Sequence, residues 1–432
     1  MTTTTPIDFA MNNQMLRAIQ IGDRRSAISN RAAIYIHVPF CDHRCSYCDF
    51  NIYAGMRSLY MPYAEAIAQE IAATAAQVGR IHVPTIYFGG GTPSLLPAEL
   101  IGGMLATVKT FFDVDDDAEI TLEVNPITDG SQRSAVSGQY FEQLRALGIN
   151  RLSLGVQSSH EHELQLLRRG HSFDDAVDTY EAMRDAGFEN VNIDLIYGLP
   201  QQSIDEWRVT LQRVIELKPD HISAYSLQVE ERTAMFNWVR DQRVPSPDED
   251  VAAEMYELAE AMLADEGFEH YEISNWAKRG QRAGGRGYRS QHNLVYWKNE
   301  PYFGFGCGAH SSYVGQRYSN VLHPREYIRR VEAGTGTVGE VELIDRALEM
   351  GETMMLGLRL IEDGVERARF ADRFGVELDE VYGSIIERLS DQGLLKSTTD
   401  RVRLTRRGRL LGNRVFAEFL PDLSTKLHEE RL

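Results

Sequence analysis

Hydrophobic and polar positions fall into a regular alternation from about residue 33, with short apolar runs of strand character followed by stretches with helical spacing. AIYIHVPF is the first strand. Residues 62–77, PYAEAIAQEIAATAAQ, follow as an alanine-rich helix with proline near its start. TIYFGGG and PAELIGGMLATVKTFF repeat the unit, as do EITLEVNP with QYFEQLRALG. NRLSLGVQS precedes two helical stretches, HELQLLRRG and FDDAVDTYEAMRDAG; VNIDLIYGLP precedes SIDEWRVTLQRVIEL; HISAYSLQV is the sixth strand. Six strand-then-helix units predict a parallel α/β architecture with polar residues at the C-terminal strand ends. Alternation alone does not separate an open barrel from a doubly wound sheet.

The regularity breaks after residue 230. VPSPDED reads as a loop into the helix VAAEMYELAEAMLADEG, and the Gly/Arg-rich stretch 278–290, KRGQRAGGRGYRS, reads as loop. The last hundred residues are mainly helical, with strand candidates at GLLKST and RVRLT, an order that resembles a winged-helix module. The expected organisation is a flexible extension over 1–30, a barrel over 31–230, a barrel extension over 231–335 and a C-terminal domain over 336–432.

Composition narrows the class. With 432 residues, 43% hydrophobic and 25% charged, the chain is long enough for a large core. A net charge of −18 argues against a general nucleic-acid binder, so packing is the expected role of the C-terminal module. No apolar run reaches membrane-spanning length, and MTTTTPIDFAMNNQ lacks the blocks of a secretory signal, so a cytoplasmic setting is expected.

Three of the four cysteines, Cys41, Cys45 and Cys48, form C-x-x-x-C-x-x-C in CDHRCSYC. Three thiolates can hold a 4Fe–4S cube and leave one iron free to chelate a ligand. The alternative is zinc held by the three sulfurs with His37 or His43, although no second ligand pair is present. A disulfide is not expected in so large a chain without an export signal. Cys307, in FGFGCGAHSS, reads as a small buried hydrophobe without a ligand role, and His310 beside it is ambiguous.

Tyr35, Gly89-Gly90-Gly91-Thr92, Glu123, Gln157, Arg169 and Asp194 all lie at or just past strand ends. Glycines admit close backbone approach, Glu123 and Asp194 offer acceptors for ammonium or ribose hydroxyls, and Arg169 offers a fork for a carboxylate. Taken singly, a glycine run is a tight turn and a carboxylate at a strand end is solvated. Their shared placement beside the cysteine loop favours one ligand site.

In order along the chain, YIHVPFCDHRCSYCDFN, YFGGGTPSLL, LEVNP, RLSLGVQS, LRRGH, NIDLIYGLP and HNLVYW resemble the radical S-adenosylmethionine (SAM) group of oxygen-independent coproporphyrinogen III oxidases. That group holds both the oxidase and the HemW-type heme chaperones. The resemblance spans roughly residues 33–420. It implies a partial (β/α)6 radical SAM barrel with a C-terminal, mainly helical, winged-helix-like domain. It also implies a 4Fe–4S cluster on Cys41, Cys45 and Cys48, with SAM on the open iron among Tyr35, Gly90, Gly91, Thr92, Glu123, Gln157, Arg169 and Asp194.

Three departures favour the chaperone branch. Phe50 stands where the oxidase carries a further cysteine, residues 1–30 do not resemble its N-terminal arm, and His292-Asn293-Leu294-Val295-Tyr296-Trp297 matches the chaperones' H-N-x-x-Y-W. The resemblance thus implies heme as a further cofactor, with His292 the candidate iron ligand and Tyr296 and Trp297 packing partners. Arg279, Arg282, Arg286 and Arg289 read as a solvated insertion, or as partners for heme propionates. Expected partners are heme, respiratory proteins that accept it, a second copy of the chain, and peripheral contact at the inner membrane face. The alternatives are coproporphyrinogen III dehydrogenase, acting through a 5′-deoxyadenosyl radical, and a cluster-bearing interaction protein.

Overall fold

The computed structural model describes residues 30–128, 133–280 and 287–421. Most of the anticipated N-terminal extension, together with Arg282 and Arg286, lies outside the described residues. Six strands and their helices alternate: β1 (Ala33–Val38), α1 (Tyr60–Val78), β2 (His82–Gly90), α2 (Ala98–Phe111), β3 (Asp113–Val124), α3 (Arg133–Leu147), β4 (Arg151–Gln157), α4 (Glu161–Leu166), α5 (Phe173–Asp185), β5 (Val191–Tyr197), α6 (Ile204–Glu216) and β6 (His221–Ser226). Each strand pairs in parallel with the next. β1 does not pair with β6, so the barrel is open. Ser172 with Asp175, and Ser203 with Glu206, form reciprocal capping boxes that fix where α5 and α6 begin.

Alternation along each strand separates two surfaces. Ile34, Ile36, Val38, Ile86, Phe88, Ile120, Leu122, Leu152, Leu154, Val156, Ile193 and Ile222 join the helices in one large core. The intervening positions point into the lumen: Tyr35 and His37, Thr85 and Tyr87, Thr121 and Glu123, Arg151 and Ser153, Asn192 and Asp194, His221 and Ser223. A closed barrel of this kind ordinarily fills its interior with branched apolar side chains. Here the interior is polar and only in part hydrogen-bonded to itself, which suits binding rather than packing.

The chain then adds α7 (Ala234–Arg240), α8 (Glu249–Asp265), β7 (Phe268–Glu272), β8 (Asn275–Lys278), α9 (Gln291–Trp297), β9 (Tyr302–Phe305), β10 (His310–Tyr313), β11 (Gln316–Asn320), α10 (Pro324–Glu332) and β12 (Val338–Leu343). The twelve-stranded sheet runs β12-β11-β10-β9-β1-β2-β3-β4-β5-β6-β8-β7. β9 is parallel to β1, whereas β8 is antiparallel to β6. The sheet therefore continues to Leu343, and the boundary expected at 335/336 falls short of its edge strand. These added strands are mostly of four to six residues, too short to announce themselves by periodicity.

Beyond α11 (Arg346–Gly357) come β13 (Val365–Glu366), α12 (Arg367–Phe374), α13 (Leu378–Asp391), β14 (Leu395–Ser397), β15 (Arg401–Leu404), α14 (Arg406–Leu410) and α15 (Gly412–Ala417). Two helices followed by a β-hairpin, with β13 on the hairpin's far side, is winged-helix order. The module has its own core around Phe370, Leu378, Ile386 and Val402. It packs on the barrel extension: Ile273 N donates to Arg359 O at 3.2 Å, Ile361 N donates to Tyr271 O at 3.0 Å, and Arg409 pairs with Glu260. Its arginines are largely neutralised, Arg403 by Glu362, Arg401 by Asp400 and Arg388 by Glu418. Among the described residues no helix is long and apolar enough to cross a membrane.

Candidate functional site

The cysteine loop leaves β1 at the C-terminal mouth of the barrel and is tied down on several sides. Ser46 N donates to Leu167 O at 3.0 Å, Ser46 Oγ to Leu166 O at 2.7 Å, and Met235 N to Ser46 O at 2.8 Å. Arg44 reaches the carbonyls of Cys48 and Phe50. Asn51 closes the loop: its amide donates to Leu322 O at 2.9 Å and Cys307 O at 3.2 Å, and its carbonyl meets His37 Nε2 at 2.9 Å. Cys307, remote in sequence, is thus packed directly behind the loop, where burial pushes its thiol up to about 12. Phe50 is 63% exposed.

The three sulfurs are not equivalent. Burial pushes Cys48 up to about 11 and also raises Cys41, whose Sγ lies 3.5 Å from Thr92 Oγ1. Burial acts the same way on Cys45, but His43 and Arg169 outweigh it and hold that thiol below its usual range. Tetrahedral zinc with sulfur at about 2.3 Å needs ligand atoms within about 4 Å of each other. Among the described residues only His162, Glu163 and Glu206 converge within 4.8 Å; the three cysteines do not. Nor is His37 free, since Tyr35 and Asn51 occupy both its nitrogens. The donor set suits a larger iron–sulfur group rather than one ion. The His162 trio sits at the starts of α4 and α6, where helix dipoles oppose a cation, and Glu206 already caps α6.

Beside the loop the sequence-read residues come together. Arg169 reaches toward Cys45 Sγ at 3.6 Å and donates from Nη2 to Asn125 Oδ1 and Gly155 O, both at 2.7 Å. Its Nε is buried without a partner among the described residues, so it can still donate to an added acceptor. Asn125 in turn donates to Thr92 Oγ1 at 2.8 Å. Glu123 accepts from Gly90 N at 3.0 Å and from Tyr87 Oη at 2.9 Å. Burial, then Asp194, push its carboxyl up to about 7. Asp194 accepts from Ser153 Oγ and Asn192 Nδ2, and Gln157 ends β4 with φ of 76°.

The glycines play a different part from the one expected. A Cβ on Gly90, which has φ of +112°, would strike the His37 ring at 2.4 Å, and one on Gly91 would strike Phe40 O at 2.6 Å. The backbone that these glycines admit so closely is therefore the protein's own; the turn is compressed to aim Gly90 N at Glu123.

His292 lies elsewhere. Ser290 caps α9, whose first two N–H groups, of Gln291 and His292, donate to Glu119 Oε1 at 2.8 and 3.2 Å. This anchors the helix across the base of the lumen. His292 is 1% exposed, with Nδ1 at 2.9 Å from Thr85 Oγ1 and Nε2 at 2.9 Å from Tyr296 Oη. Burial drives its pKa down to about 3, so the ring is neutral. Both nitrogens are already engaged, and iron ligation would require Tyr296 to let go. Trp297 carries Arg359 4.5 Å above its ring, and Arg289 is held by Glu269 and Asp363 rather than free in solvent. Sequence reasoning missed Asn51, Glu119, Asn125 and Arg151. The alternation in RLSLGVQ places Arg151 on the face opposite Leu152 and Leu154, without telling interior from solvent.

The pattern of the Radical SAM superfamily matches residues 35–214, and that of the HemN C-terminal domain matches 344–411. The chain is 36% identical to the Bacillus subtilis protein "Heme chaperone HemW" over 90% of this chain and 99% of that one. It is 34% identical to mouse "Radical S-adenosyl methionine domain-containing protein 1, mitochondrial", covering 91% and 88% of the two chains. The solved Escherichia coli coproporphyrinogen III oxidase HemN superposes with a TM-score of 0.78 at 23% identity, over 95% of this chain and 94% of that one, a likeness of fold. The chain belongs to the HemW-type family of the radical SAM superfamily.

Proposed function

We propose that the protein is a heme chaperone whose cysteine loop holds a SAM-ligated 4Fe–4S cluster, and that it passes heme to acceptor proteins of the respiratory kind. The observation that carries this reading is Arg169, which reaches one sulfur of the loop while its own Nε has no acceptor among the described residues. Cys41, Cys45 and Cys48 would hold the cluster. Tyr35, Gly90, Gly91, Thr92, Glu123, Gln157, Arg169 and Asp194 would surround SAM. A cluster with one iron free of protein sulfur supplies a chelation site for an amino acid's amine and carboxylate.

Heme binding comes from the relatives' name and the H-N-x-x-Y-W helix. In this reading His292 would hold the heme iron, with Tyr296 and Trp297 as neighbours, and Tyr296 would have to give up its bond to Nε2. The chain acts in the cytoplasm, as a dimer, with peripheral access to membrane-bound acceptors. Anaerobic reconstitution with iron and sulfide, followed by titration with heme and SAM, tests it. The expected result is stoichiometric heme without sustained 5′-deoxyadenosine release. Absence of heme binding, or sustained conversion of coproporphyrinogen III to protoporphyrinogen, overturns it.

A further inference from the structure

One lumen residue has no part in the site as described. Arg151 opens β4, is only 2% exposed, and donates no side-chain hydrogen bond among the described residues; its Nε is sealed without a partner. Its register neighbour Thr121 likewise has a buried, unpartnered Oγ1. One inward step along β4, Ser153 holds Asp194; on the far side of Thr121, Tyr87 holds Glu123. The guanidinium thus sits one layer beneath both carboxylates and is bonded to neither.

A buried cation without hydrogen bonds persists only where nearby negative charge offsets its lost hydration. The groups facing Glu123 are Tyr35 of β1, Tyr87 and Gly90 N of β2, Asp194 of β5, Tyr225 of β6 and Tyr296 of α9, with Arg151 from β4. The tyrosines are neutral. Arg169 is turned away toward Cys45, Asn125 and Gly155. Among the inward residues of the six parallel strands, Arg151 is the cation available to the carboxylate pair.

We propose that Arg151 is a positioning residue for ligand capture: its buried charge favours the ionised form of Glu123 beside Asp194, so that the two carboxyls can accept from the amine and ribose hydroxyls of an adenosyl amino acid. This rests on the SAM reading of the site. Without the guanidinium, two neighbouring carboxyls in a low dielectric hold a proton between them, and a protonated carboxyl donates where an acceptor is needed.

The test compares the full chain with Arg151→Met, Arg151→Lys, Glu123→Gln and the Arg151→Met/Glu123→Gln double variant. SAM affinity is measured by equilibrium dialysis of reconstituted protein across pH 6–9. The infrared band of protonated carboxyl is followed in ligand-free protein over the same range. In Arg151→Met the pH of half-maximal affinity should move up by about one unit or more, and the carboxyl band should persist to correspondingly higher pH. Arg151→Lys should resemble the parent, and Glu123→Gln should remove the part of the band that responds to Arg151→Met and make Arg151→Met nearly silent in binding. An unmoved carboxyl titration in Arg151→Met overturns the proposal, as does an affinity loss of equal size at every pH. Should the parent bind no SAM, the reading of the site fails, while the infrared titration still decides whether Arg151 favours the ionised form of Glu123.

Discussion

Tyr87 lies against the imidazole of His292, ring centroids 5.0 Å apart and planes 29° from parallel, while its hydroxyl donates to Glu123. One side chain therefore joins the helix at the base of the barrel to the carboxylate at its mouth. Tyr35 extends the stack at 6.2 Å from Tyr87, and Tyr296 continues it edge-on at 5.1 Å beyond His292.

Replacing His292 removes a buried ring and strands Thr85 and Tyr296. His292→Ala should cost about 3–5 kcal/mol, read as a lowered denaturant midpoint. Tyr296→Phe removes one hydroxyl and should cost about 1–2 kcal/mol. If His292 ligates iron, the two variants separate in a heme titration: Tyr296→Phe frees Nε2 and binds more tightly, whereas His292→Ala loses the nitrogen-ligated spectrum.

Glu123 gives a pH signature. Its folded pKa of about 7 lies above the 4.5 of a free glutamate. The folded state therefore binds the extra proton, and this group's stabilisation is complete below pH 4.5 and lost as pH rises to 7. The full span corresponds to about 3–4 kcal/mol. His292 runs the other way, its stabilisation present above 6.5 and lost as pH falls toward 3. Unfolding curves from pH 4.5 to 7.5 for the parent and Glu123→Gln isolate the first effect, because the His292 contribution cancels in their difference.

Arg169 should govern cluster retention. Arg169→Met removes the donor to Cys45 and both bonds to Asn125 and Gly155, and iron retained per chain after reconstitution and desalting should fall several-fold. Arg169→Lys should not restore it, since a single ammonium cannot reproduce the fork. Iron analysis and the charge-transfer absorbance of the cluster both report the outcome.

Glu70 fastens the ground behind the cysteine loop. Its buried carboxylate accepts from Gly306 N, Asn320 Nδ2, Tyr327 Oη and Thr337 Oγ1 at 2.9, 2.7, 2.6 and 2.8 Å. Glu70→Ala leaves four buried donors without an acceptor and should cost about 3–5 kcal/mol by chemical denaturation. Glu70→Gln should lose less, because one oxygen remains.

The six strand–helix units were legible because each strand pairs an apolar face with a turn and a helix of matching period. RLSLGVQ shows both what could be read and what could not. Its Leu152, Leu154 and Val156 announced a buried strand, yet nothing local says that Arg151 and Ser153 face an interior instead of water. Glu70 was hidden similarly. In AIAQEIAATAAQ it looks solvated, although it shares a helical face with Tyr63, Ile67 and Ile71.

The cysteine loop and the polar residues gathered beside it were legible because both are local motifs placed at strand ends. The setting of His292 was not. Its motif is visible in the chain, but Thr85 and Glu119, which seal it, come from strands some two hundred and more than one hundred and seventy positions earlier. The short strands after residue 268 escaped for a simpler reason: runs of four to six residues on a sheet margin carry too few alternations to count.

Helix α9 stoppers the strands' starting end, fastened by Glu119 and plugged by His292. The interior is consequently blocked at that end. The cysteines border the opposite end, so the carboxylate that Tyr87 holds and the three sulfurs share one side of the barrel.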